Sequence, residues 1–137
     1  MDTNDLKTVS TAALAYLGDC VMELCVREYL VERGLSSSAR LNSAALDFVR
    51  APKQAEAMQR IYDYLSEDEM AVFKRGRNNG HGAAPKSATV SEYRTATGME
   101  ALFGWLKLSG REERIKELFA LAYDIENNKD KIQGEEK

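Results

Sequence analysis

At 137 residues the chain can bury a core of its own, and 44% hydrophobic with 30% charged residues is ordinary globular composition. A net charge of -3 and a pI near 5.3 exclude whole-molecule attraction to polyanions, so any nucleic-acid contact must come from a local basic patch. Cys20 and Cys25 show neither CxxC nor Cys/His zinc spacing and read as small core residues of a reducing compartment. The opening "MDTNDLKTVS" lacks a basic, apolar leader pattern, and no run approaches the roughly 20 apolar residues of a membrane span. A cytoplasmic location without a membrane partner is expected.

Apolar residues recur at three-and-four spacing with few prolines, which predicts an all-α helical bundle. The first helix covers about Ser10 to Glu32, with Leu14, Leu17, Val21, Leu24, Val26 and Leu30 as its apolar positions, and Gly34 is a left-handed stop. A second helix, "ARLNSAALDFVRA", halts near Pro52, and "PKQAEAMQRIYDYL" restarts with that proline in its first turn. Ser66 with Glu69 forms a capping box for "EDEMAVFKRGR", Thr89 with Glu92 for "EYRTATGMEALFGWLKL", and Ser109 with Glu112 for "REERIKELFALAYDIE". Residues 1–127 read as one domain and 128–137 as a polar tail.

The stretch "KRGRNNGHGAAPKSATVSEYR" interrupts this texture. Gly76, Gly80, Gly82 and Pro85 predict a loop, surrounded by Lys74, Arg75, Arg77, Lys86 and Arg94 and opposed only by Glu92. Such a segment is either a solvated surface or a flexible phosphate grip. His81, the single histidine, lies in it and reads as a phosphate contact or bystander rather than a catalyst.

Two carboxylates sit where a core helix would not want them. Asp19 follows Gly18 inside "TAALAYLGDCVMELCVREYL", and either caps a helix resuming at Val21 or serves chemistry; Glu23 can pair with Arg27 one turn on. Glu100 lies between Gly98 and Gly104, in a stripe with Thr97. If the two acids face one another across a helix contact, their repulsion calls for a divalent cation, and oxygen ligands favour magnesium or manganese. Met99, Phe103 and Trp105 read as core or interface.

"LAYLGDCVMELCVREYL" resembles the signature helix of the ribonuclease III family, usually close to "LEFLGDAVL", and "TGMEALFGWLKL" resembles its second motif, D-x-x-E-A-x-x-G. Leu14, Leu17-Gly18-Asp19, Glu100-Ala101 and Gly104 are the shared positions. The signature's usual glutamates fall at Ala12 and Ala15, and the first acid of the second motif falls at Thr97. No double-stranded-RNA-binding domain is expected after the last helix. This combination, with "PK" before "YRTATGMEAL", resembles the mini-ribonuclease III branch, associated with maturation of large-subunit (23S) ribosomal RNA.

The resemblance implies a ribonuclease III-type homodimer making staggered hydrolytic cuts in double-stranded RNA, one site per subunit. Asp19 and Glu100 would be the catalytic residues holding Mg²⁺, with Mn²⁺ as a substitute. Arg77, Asn78, Lys86, Ser87 and Arg94 would grip the RNA, and a ribosomal protein is a candidate accessory partner. Tyr16 is expected at the subunit interface or as a core tyrosine. The alternative activity is a catalytically inactive module that only binds structured RNA; a helical adaptor is a third class.

Overall fold

Seven α-helices and one 3-10 turn form the described part of the chain, residues 2–79 and 86–127 of a computed structural model. They are α1 (Thr3–Leu6), α2 (Thr11–Glu32), α3 (Ser38–Val49), α4 (Ala51–Ile61), α5 (Glu67–Asn78), α6 (Val90–Leu108) and α7 (Glu112–Ala122), with the turn at Tyr62–Tyr64 after α4. The all-α expectation is met, and no strand occurs among the described residues. No helix there is long and apolar enough to cross a membrane.

Helix α2 begins where Ser10 Oγ accepts from the Ala13 N–H at 3.0 Å, and runs unbroken to Glu32, Gly34 turning the chain away just beyond it at φ +92°. Asp19 therefore lies in mid-helix, and the reading of it as a cap for a helix resuming at Val21 is corrected. Arg50, in extended conformation, separates α3 from α4, and Pro52 occupies the first turn of α4. Both halves of the Ser66/Glu69 box form, at 2.9 and 3.2 Å, as do those of Thr89/Glu92, at 2.8 and 3.0 Å. The Ser109/Glu112 box does not form. Ser109 caps the end of α6, its hydroxyl donating to the Trp105 carbonyl at 2.6 Å, while Glu112 pairs with Lys107.

The helix and loop readings overlap at residues 74–77, and the helix is the one that forms: residues 74–78 belong to α5, which corrects the start of the loop. Gly76 serves packing there: a Cβ would stand 2.8 Å from the Ala101 Cβ and 2.9 Å from the Gly98 Cα of α6. Gly80, His81, Gly82 and Pro85 lie outside the described residues.

Helix α6 runs through the centre, with α2, α4, α5 and α7 packed on it. Met99, Ala101, Leu102, Phe103 and Leu106 are wholly buried, which accounts for the apolar content of "TGMEALFGWLKL". Burying an aliphatic or aromatic side chain contributes about 1.5–3 kcal/mol, so α6 anchors the fold. Tyr29, Phe48, Phe119 and Tyr123 close one end, with ring centroids 5.0–6.5 Å apart and the Tyr123 hydroxyl donating to the Phe48 carbonyl at 2.8 Å. At the other end Glu69 is buried against Arg114, whose guanidinium donates to both carboxylate oxygens at 2.8 Å and to the Tyr64 carbonyl.

Candidate active site

The site exists because two glycines let α2 and α6 touch backbone to backbone. A Cβ at Gly18 would collide with the Glu100 carbonyl, and one at Gly104 with the Leu14 carbonyl. Only hydrogen fits at either crossing point, so the backbone entropy lost by glycine in a helix is accepted there. The close crossing puts Asp19, next to Gly18, alongside Glu100.

The two carboxyl groups share an open cleft of about 310 Å³, lined also by Thr11, Ala12, Ala15, Tyr16, Asn79, Tyr93 and Thr97. Burial pushes the Glu100 carboxyl up to about 8, and the charge of Asp19 together with a hydrogen bond between the two groups adds to the rise. A pair of acids this close is held together at neutral pH by a shared proton or by a cation. The polar side chains lining the cleft offer oxygen throughout, apart from the Asn79 amide nitrogen: two carboxylates, the Asn79 side-chain carbonyl and the hydroxyls of Thr11, Tyr16, Tyr93 and Thr97. That is the chemistry of a magnesium or manganese site, and the residues fit such an ion.

Ala12, Ala15 and Thr97 line the same walls, so the positions where the family pattern usually carries further acids do face the cleft and bring no charge to it. Among the described residues, no three His, Cys, Asp or Glu side chains gather around one point. Thr97 is held by its hydroxyl donating to the Tyr93 carbonyl at 3.0 Å.

Tyr16 is 85% exposed, which rules out the core-tyrosine reading and leaves its ring at the mouth of the cleft. Cys20 is exposed rather than core, a further correction, since it follows Asp19 on the outward side of α2; Cys25 is half-buried, its thiol pushed up to about 11 by burial and by Glu28. Glu23 and Arg27 pair on the surface at 3.5 Å.

The proposed RNA contacts divide. Arg94 is exposed on α6, one turn before Thr97 of the cleft wall, and Lys86 and Ser87 are exposed just before that helix. Asn78 is exposed and accepts from Arg77 Nε at 3.3 Å, while the Arg77 guanidinium lies 5.5 Å from the Phe73 ring centroid, on the side facing α4. Thr11, Asn79 and Tyr93 are the cleft residues the sequence reading passed over. Tyr93 was findable, since Tyr93, Thr97 and Glu100 follow helical spacing. Asn79 was not, because the packing of α5 on α6, closest at Gly76, is what brings the end of α5 to the cleft.

Comparison with known proteins identifies the family. A family model described as Ribonuclease III domain matches residues 12–111. A protein named mini-ribonuclease 3 from Clostridium tetani is 35% identical over 132 residues, covering 96% of this chain and 87% of the relative. Another, from Symbiobacterium thermophilum, is 46% identical over 119 residues, covering 86% and 91%. A crystal structure of a Fusobacterium nucleatum protein superposes with a TM-score of 0.80 at 33% identity, over 89% of this chain and 98% of that one.

Proposed function

The chain belongs to the ribonuclease III family, in its mini-ribonuclease 3 branch, and is an endoribonuclease of that type; on this premise we propose that it cuts double-stranded RNA with a divalent cation held by Asp19 and Glu100. The observation that carries the reading is the convergence of these two acids, from separate helices, in one oxygen-lined cleft. With alanine and threonine at the other walls, the donor set suits a single ion per chain, Mg²⁺ or Mn²⁺.

When bound, the ion supplies Lewis acidity that makes water nucleophilic near neutral pH and offsets charge on the departing 3′ oxygen. Water adds to phosphorus, the bond to the 3′ oxygen breaks, and a 5′-phosphate and a 3′-hydroxyl result. The protein's own contribution is positional. The crossing of α2 and α6 fixes both carboxylates on rigid helices, and Asp19 and Glu100, both ionised, would hold the cation there. Tyr93, Thr97 and Asn79 offer neutral hydrogen-bonding groups to the phosphate strand. Arg77, Asn78, Lys86, Ser87 and Arg94 are proposed as further backbone contacts, suited to an A-form duplex read by shape.

A homodimer completes the proposal, since two-fold symmetry matches antiparallel strands and makes staggered cuts natural. Tyr16, Cys20, Leu24 and Val31 form an exposed, largely apolar face along α2, Leu24 and Val31 being 53% and 62% exposed, and this face supports the pairing. Precursor large-subunit ribosomal RNA is the proposed substrate, with a ribosomal protein as candidate helper and the cytoplasm as the proposed location.

Incubation of a labelled RNA duplex with Mg²⁺ tests the reading. The native chain should yield paired, offset ends, and Asp19→Asn should bind the duplex and leave it whole. Binding without cutting by the native chain would instead make it an RNA-gripping module.

A further inference from the structure

A second cleft, of about 430 Å³, carries the opposite charge. Lys7, Arg75 and Arg111 line it around Trp105, with Asp68 as the single carboxylate in its wall. The Arg111 guanidinium stacks 4.8 Å from the Trp105 ring centroid, which fixes one cation in place. In a chain of net charge -3, many cations have an acid at hand: Arg27 pairs with Glu23, Lys107 with Glu112, and Arg114 with Glu69 and Glu117. Lys7, Arg75 and Arg111 form no ion pair among the described residues.

The two clefts lie along one face of α5. Asp68, Val72, Arg75 and Asn79 recur at helical spacing; the first three border the basic cleft and Asn79 the acidic one. Arg75 and Asn79 are one turn apart, about 6 Å of rise, so the walls of the two clefts come within a helical turn of each other along α5. Arg77 is turned about 200° from Arg75 around the helix and faces α4 instead.

We propose that the cleft of Lys7, Arg75 and Arg111 is a second phosphate-backbone site, gripping the duplex RNA whose strand is cut between Asp19 and Glu100. The assignment rests on the endoribonuclease reading above. Guanidinium forks and an ammonium suit phosphate oxygens, and the neighbouring acid cleft would repel a polyanion unless cations beside it offset that charge.

The test is equilibrium binding of a fluorescent RNA duplex to the full chain, in chelator so that nothing is cut, across a range of salt. In Lys7→Ala/Arg75→Ala/Arg111→Ala the slope of log affinity against log salt should fall by about 1 for each cation removed. Lys53→Ala/Lys116→Ala, which removes surface cations paired with Glu56 and Glu113, should keep the native slope. Arg75→Lys should keep it too, and thermal melts check that every variant is folded. A native slope in the folded triple variant overturns the proposal while leaving the nuclease reading intact. Competition by polyglutamate as effective as by RNA overturns the nucleic-acid assignment of the cleft. Failure of the native chain itself to bind the duplex at low salt would count against the nuclease reading instead.

Discussion

Gly18 decides more than its size suggests. A methyl group there has nowhere to go except into the Glu100 carbonyl, and the atom in the way belongs to backbone rather than to a movable side chain. Gly18→Ala should therefore lower stability by about 3 kcal/mol or more, read as a fall in melting temperature; an unchanged melt would mean that α2 and α6 do not cross so closely. Beside it, Glu100 titrates near 8 in the fold against 4.5 for an ordinary glutamate. Its folded pKa is raised, so its contribution to stability is fully present below about 4.5 and is lost as pH climbs through about 8. In chelator, the melting temperature should fall across that window, Mg²⁺ should restore it, and Glu100→Gln should abolish the dependence. Equal slopes for native and Glu100→Gln proteins would contradict the assignment. Asp19→Asn removes the repelling charge, so it should melt no lower than the native chain while losing cleavage.

At the scale of elements, local chemistry was readable where it was self-contained. The Ser66/Glu69 and Thr89/Glu92 boxes need only residues within one turn, and both form as the spacing predicts. Ser109/Glu112 has the same spacing but fails because Gly110, at φ +74°, closes α6 just after Ser109 and so commits that hydroxyl to the outgoing helix. Gly76 misled for a related reason. Glycine among arginines and asparagines signals a loop, yet here it is the contact that docks α5 onto α6. Glu69 does double duty, as a box residue and as the buried partner of Arg114, which no local pattern announces. Burial alone would raise its pKa, but Arg114 and the Ser66 N–H overcome that and hold it below the ordinary value. Glu69→Ala removes the buried partner of Arg114, leaving it Glu117 and the Tyr64 carbonyl, and should cost about 2 kcal/mol in denaturant unfolding, with cleavage retained below the new midpoint; a loss under about 0.5 kcal/mol would show the pair to be peripheral.

For the molecule as a whole, the acids were legible because each sat on an apolar helix beside glycine, and the family motifs joined them. Their distance from one another was not legible, since it depends on the α2–α6 crossing. The second, basic cleft was invisible for the same reason: Lys7, Arg75 and Arg111 lie far apart in sequence and meet only across packed helices. The exposed α2 face gives the dimer its test, in which Leu24→Lys should halve the sedimenting mass and an unaltered mass would move the interface elsewhere. Calorimetric titration of Mn²⁺ into the metal-free chain near neutral pH probes the shared site itself. About one ion should bind per chain, with a proton released from Glu100, and binding should be lost in both Asp19→Asn and Glu100→Gln. Undiminished binding in either variant would contradict a site shared by these two carboxylates.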